Sequence, residues 1–123
     1  RARPGAAVLL ETNGSRDISV VPPGVVTILD IKCPGSGEQA AMEWANLDRL
    51  RPQDEVKFVI GSRADFEWAV RQVGTYALAP KCHAVLFSPV PGRLAPADLS
   101  SWLLDSKVPA RLNVQLHKLI GAR

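Results

Sequence analysis

Five short aliphatic segments, each closed by polar or turn-forming residues, recur along this chain, and their spacing limits the fold more than any other feature. They run from Ala6 to Glu11, Val25 to Lys32, Glu55 to Ile60, Ala84 to Ser88 and Arg111 to Leu116. Each has strand length and a strand-like composition. Helical patterns fill every gap but the first. Glu38 to Leu50 carries Met42, Leu47 and Leu50 between charges and stops at Arg51-Pro52, since proline disfavours the α region for the residue before it. Ser62 with Asp65 resembles an N-cap followed by an acid in the first turn, opening a helix from Arg63 to about Leu78 with Phe66, Ala69, Val70, Val73, Tyr76 and Ala77 on its apolar stripe. Ala97 to Asp105, entered through Pro96, repeats the pattern with Leu99, Trp102 and Leu103. Between Ser15 and Gly24, Pro22-Pro23 leaves room only for a turn or a helical stub.

This order predicts an α/β fold: a mainly parallel sheet of about five strands with crossover helices. A complete eight-stranded barrel takes ~250 residues, so 123 residues form an open sheet or an incomplete (βα) barrel, one domain over residues 1–123 with an exposed edge at its first strand. The aliphatic run Ala6-Ala7-Val8-Leu9-Leu10 reads as a strand buried on both faces. The balance of 46% hydrophobic and 22% charged residues is that of a globular chain. No apolar run approaches the ~20 residues of a membrane helix and no signal-peptide pattern opens the chain, so a cytoplasmic protein without membrane contact is expected. The net charge of +3 is dispersed, without the basic and aromatic tract that marks a nucleic-acid face, and no direct nucleic-acid partner is expected. Cys33 and Cys82 are far apart and outside any metal-binding spacing, which predicts two reduced thiols. Starting Arg1-Ala2-Arg3-Pro4-Gly5 and entering a strand almost at once, the chain reads as the middle of a longer protein.

In parallel sheets ligands meet the loops at the carboxyl ends of the strands, so the polar residues that close the segments converge on one rim. Glu11 and Asn13 lie two apart and share a face in extended backbone, bringing a carboxylate and an amide to one ligand. The same pentapeptide, Glu11 to Ser15, also fits an Asn-Gly turn with Glu11 in solvent. Lys32 to Gly37 is glycine-rich before a helix and offers free N–H groups to an anion, or is a plain connector; it lacks the order of a P-loop. Asp30 and Lys32 either pair with each other or leave Lys32, the only basic residue read at the rim in mid-chain, to meet a ligand carboxylate. Ser88 places a hydroxyl at the rim in a Pro/Gly turn, and Gln115 with His117 ends the last segment. His83 falls at the opposite end, and Trp44, Trp68 and Trp102 fall within helical patterns, where they pack on the sheet. No nucleophile and base stand together, so these residues alone name no reaction, no catalytic residue and no metal ligand.

Taken together, Glu11-Thr12-Asn13-Gly14-Ser15, Asp30 to Glu38, Asp54 to Ile60, Phe87-Ser88-Pro89-Val90 and Val114-Gln115-Leu116-His117-Lys118 resemble, in order and spacing, the C-terminal part of the 7-carboxy-7-deazaguanine synthase family of the radical S-adenosylmethionine (SAM) superfamily. The resemblance implies an incomplete barrel, a homodimer, a cytoplasmic role in queuosine biosynthesis, and conversion of 6-carboxy-5,6,7,8-tetrahydropterin to 7-carboxy-7-deazaguanine with SAM, a [4Fe–4S] cluster and Mg2+. It implies that Glu11 and His117 bind the pterin and that Asn13, Asp30, Ile31, Lys32 and Ser88 contact SAM. Many relatives carry Ser-Pro-Lys where this chain has Asp30-Ile31-Lys32, so for Asp30 and Ile31 only backbone contacts carry over. The cluster-binding cysteines and the glycine-rich Gly-Gly-Glu-Pro segment of the family are not in these residues, and Cys33 and Cys82 cannot replace three closely spaced thiolates. A part-length chain without turnover of its own is the expectation. Another radical SAM enzyme, such as a glycyl-radical activase, or a non-catalytic α/β binding module are the alternatives.

Overall fold

The computed structural model describes residues 8–12, 17–22, 24–36 and 44–114. Five strands form one sheet: β1 (Val8–Thr12), β2 (Val25–Lys32), β3 (Glu55–Ile60), β4 (Ala84–Pro89) and β5 (Arg111–Leu112). They lie side by side in chain order and every pair is parallel, as the alternation of strand and helix patterns requires.

Residues paired across neighbouring strands share a face, and so do alternate residues along a strand. One face therefore carries Leu29 and Ile31 of β2, Val56, Phe58 and Ile60 of β3, and Val85 and Phe87 of β4, all buried. Helix α1 (Arg63–Thr75) covers it with Phe66, Ala69 and Val73, and α3 (Pro96–Ser106) adds Leu99. The rings interlock edge to face, with Phe58 5.5 Å and Phe66 5.7 Å from Phe87 between centroids. Trp44, Trp68 and Trp102 pack against this same core, in the role expected of them.

Ser62 caps α1, its hydroxyl accepting from the Asp65 N–H at 3.2 Å. The helix ends at Thr75 rather than near Leu78. Pro80 cannot donate to the carbonyl four residues back and its ring would strike that turn, so the chain breaks at Ala77, which takes the left-handed conformation (φ 50°), and restarts as α2 (Leu78–Lys81). The helix expected over Glu38 to Leu50 is also corrected. Its described portion contains a 3-10 helix, Trp44–Asp48, which buries Asn46 and Leu47. Residues 37–43 lie outside the described residues.

At the edge, among the described residues β1 pairs only with β2, which agrees with the expected open first strand. Burial on both faces does not hold there: Leu9 is 64% and Leu10 41% exposed. Among the described residues no helix is long and apolar enough to cross a membrane.

Candidate functional site

The opposite face of the sheet is polar toward the carboxyl ends of its strands. Register pairs Asp30 with Lys57 and Val59 with Ser88, while Glu11 pairs with Ile28, two residues before Asp30 and on the same face. The loop leaving β4 rises beside this face. Val90 donates its N–H to the Ile60 carbonyl at 2.9 Å, and Gly92 takes φ 82°, a conformation that costs glycine nothing and most residues about 1 kcal/mol. Face and loop enclose a cleft of about 910 Å³, large enough for a small-molecule ligand.

Glu11, Asp30, Lys32 and Ser88, each drawn from a polar strand end in the sequence, line this one cleft. Ile31 does not. Its side chain is fully buried on the helix-covered face, so toward the cleft it has only backbone to offer. Asn13, Gln115 and His117 lie outside the described residues. Asp30 and Lys32 do pair, at 3.5 Å. His83 stands at the other end of the sheet, where its N–H donates to the Asp54 carbonyl at 2.7 Å.

Lys32 is not the only basic residue at the mid-chain rim, as the sequence alone suggests: Lys57 and Arg93 line the same cleft. Lys57 is 4% exposed and its ammonium reaches over β2 to donate to Glu11 Oε2 at 2.5 Å, with Asp30 Oδ2 3.8 Å away. A detectable signal existed: Lys57 is a lone charge inside the otherwise apolar stretch Val56 to Ile60, on the face it shares with Glu55 and Val59.

Of the two readings of the glycine-rich turn after β2, Gly35 favours the connector. The Gly35 N–H is not free for an anion, because it donates to Asp65 Oδ1 at 3.3 Å, and the other carboxylate oxygen takes the Gly61 N–H at 3.0 Å. Asp65 thus ties the loop leaving β2 to the loop leaving β3. Neither described cysteine is in a disulfide, in line with the expected reduced thiols. The Cys33 thiol is buried beside Asp65 and Asp30, and burial first, then those carboxylates, push its pKa up to about 12. Below the ordinary thiol value of 9.0 that shift costs nothing. As pH rises from 9.0 toward 12, the unfolded chain ionises and the folded one does not, so stability is lost across that window. Native Cys33 is expected to resist iodoacetamide at pH 8 and to be labelled readily once the chain is unfolded in guanidinium; rapid labelling of the native thiol, read by peptide mass, would contradict this burial.

These thiols do not suit an iron–sulfur cluster. Cys33 Sγ points toward the Asp65 carbonyl at 3.9 Å behind the sheet, whereas Cys82 precedes β4 at the far end and meets the carbonyls of Leu78 and Ala84 at 3.3 and 3.4 Å. No group of three or more His, Cys, Asp or Glu that could hold a metal ion occurs among the described residues.

The fold is of the parallel α/β class, in which ligands meet the carboxyl ends of the strands, where this charged cleft lies. The chain is similar over most of its length to 7-carboxy-7-deazaguanine synthases, as its five motifs indicated. It is 41% identical over 128 residues to the 7-carboxy-7-deazaguanine synthase of Koribacter versatilis, a match covering 94% of this chain and 57% of that protein. With the synthase of Chlorobaculum tepidum the identity is 38%, covering 92% of this chain and 52% of the relative, and with that of Methanospirillum hungatei 33%, covering 95% and 47%. The chain therefore spans about half the length of the curated relatives it matches. Neither a family model nor a solved structure matches it.

Proposed function

We propose that this chain forms the substrate- and SAM-binding wall of a 7-carboxy-7-deazaguanine synthase, in which 6-carboxy-5,6,7,8-tetrahydropterin becomes 7-carboxy-7-deazaguanine by SAM-derived radical chemistry on the way to queuosine. The observation that carries the reading is the joining of Glu11, Asp30, Lys32 and Ser88 in one cleft on the sheet face opposite α1. A polar face turned away from the covering helix is what the inside of an incomplete barrel needs in order to hold two ligands at once. In this reading Glu11 and His117 meet the pterin, Asn13 and Ser88 contact SAM, and the β2 segment Asp30-Ile31-Lys32 contacts SAM through its backbone.

The reductive cleavage of SAM that the family performs needs a [4Fe–4S] cluster, and the described residues fit neither that cluster nor the Mg2+ ion. The contribution of this chain is to bind and orient the organic partners, and by itself it is inactive. Homodimerisation and a cytoplasmic location belong to the same proposal. The gene sequence upstream of Arg1 tests it cheaply, since it should encode three closely spaced cysteines.

The site assignment has its own test. In the full-length protein carrying this sequence, Glu11→Gln and His117→Ala are each expected to raise the Kd for 6-carboxytetrahydropterin by about tenfold, the scale of a lost charge-assisted hydrogen bond, while the cluster absorbance stays unchanged. Unaltered pterin affinity in both variants, measured by anaerobic calorimetry, would remove these residues from the site.

A further inference from the structure

Glu11 alone makes a poor recognition group. It stands on an edge strand with half of its side chain exposed, and a flexible acid of that kind must lose rotamer freedom before it can bind anything. Lys57 is its opposite, a side chain only 5% exposed, rooted in a central strand and paired in register with Asp30. Its ammonium holds one oxygen of Glu11 at 2.5 Å, while Asp30 Oδ2, which also pairs with Lys32 at 3.5 Å, stands 3.8 Å from the same nitrogen. The buried end of the pair is thus fixed by the sheet, and the exposed end inherits that order. Glu11 Oε1 is left as an acceptor on a carboxylate whose orientation is already set. A carboxylate oxygen can only accept, so at this spot Glu11 favours a ligand edge that donates hydrogen bonds over one that is anionic.

We infer that Lys57 is a positioning residue: by holding Glu11 it sets the acceptor that receives the adjacent N–H donors of a 2-aminopyrimidinone edge. This rests on the pterin-binding reading above. Lys57 acts through Glu11, so its loss strikes the ligand that Glu11 reads and spares SAM.

The test uses the full-length protein and two probes, 6-carboxytetrahydropterin and SAM, each titrated without the other. Lys57→Met, which keeps the side chain's bulk, is expected to raise the pterin Kd by about tenfold or more and leave the SAM Kd within about twofold. Lys57→Arg, which keeps the charge, is expected to recover affinity to within about threefold of the unaltered protein. Adding Glu11→Gln to Lys57→Met is expected to cost less than about twofold further, since both remove one interaction. Pterin affinity untouched by Lys57→Met, or SAM and pterin affinities falling together with the melting temperature, overturns the inference and makes Lys57 a structural ion pair. Should Lys57→Met fail to fold, Lys57→Gln serves the same comparison. If the unaltered protein binds SAM but no pterin, the functional reading falls and this inference with it; if it binds pterin and the lysine variants bind equally well, only this inference falls.

Discussion

Replacing Asp54 with alanine is expected to destabilise the protein by about 3 kcal/mol, the scale for removing one partner of a buried, hydrogen-bonded ion pair. Asp54 is 1% exposed at the amino end of β3, and both of its oxygens are fully engaged. Oδ1 accepts the Thr27 N–H of β2 at 2.9 Å and Arg51 Nη2 at 3.1 Å; Oδ2 accepts the Arg51 N–H at 2.9 Å and Arg51 Nε at 3.2 Å. Its carbonyl takes the His83 N–H that leads into β4, so this one residue gathers the entry points of three strands. Alanine strands two N–H groups together with the guanidinium. Arg51 retains the Pro22 carbonyl at 3.1 Å and is 27% exposed, which lets water compensate part of the charge and keeps the estimate near the lower end of the range for buried pairs. Urea unfolding should show the loss as a lower midpoint. Arg51→Ala combined with Asp54→Ala should cost clearly less than the two losses added, because they remove one network. A single-variant loss below about 1 kcal/mol would mean that the clamp contributes little to holding the strand entries.

Much of this architecture is legible in the sequence because the strands are locally marked. Val25 to Lys32 and Glu55 to Ile60 occupy the predicted limits, and β4 differs only by including Pro89. Their aliphatic character and their polar endings carry enough information without any long-range contact. The α1 boundary was less legible, since its early end depends on Pro80, three residues beyond a stripe that itself continues through Tyr76 and Ala77. The stretch before Arg51 reads as helical from its apolar spacing, yet Trp44–Asp48 takes the tighter 3-10 form, in which Asn46 Oδ1 accepts the Ile18 N–H at 2.9 Å. The site shows the same division. Rim residues such as Glu11, Asp30 and Ser88 are visible because they end strands. Lys57 becomes a site residue only through register, which sets it beside Asp30 and within reach of Glu11 46 positions earlier in the chain.

A second large effect is expected at the other end of the sheet. Asp65→Ala should cost about 2 to 3 kcal/mol and also weaken SAM binding on the order of tenfold, whereas Asp54→Ala should leave ligand affinity nearly unchanged in protein that remains folded. The difference follows from what each carboxylate joins. Asp65 is 5% exposed in the first turn of α1, where an acid is favoured by the helix dipole, and its oxygens take the Gly61 and Gly35 N–H groups at 3.0 and 3.3 Å. Gly61 follows β3, and Gly35 belongs to the turn directly after Lys32, so the carboxylate braces the segment that the family resemblance assigns to SAM. Without it the buried Gly61 N–H has no acceptor and the β2 loop has lost a tether. A milder probe separates the tether from the charge. A β-carbon at Gly35 would stand 3.0 Å from Asp65 Oδ1, so Gly35→Ala must push the carboxylate aside by a few tenths of an ångström while leaving every charge in place. Gly35→Ala should therefore shift SAM affinity in the same direction as Asp65→Ala but by less, with pterin affinity following Lys57 and Glu11 instead. Equal losses for both ligands in the Gly35 variant, measured by paired titrations, would show that the β2 loop supports the whole cleft rather than the SAM side of it.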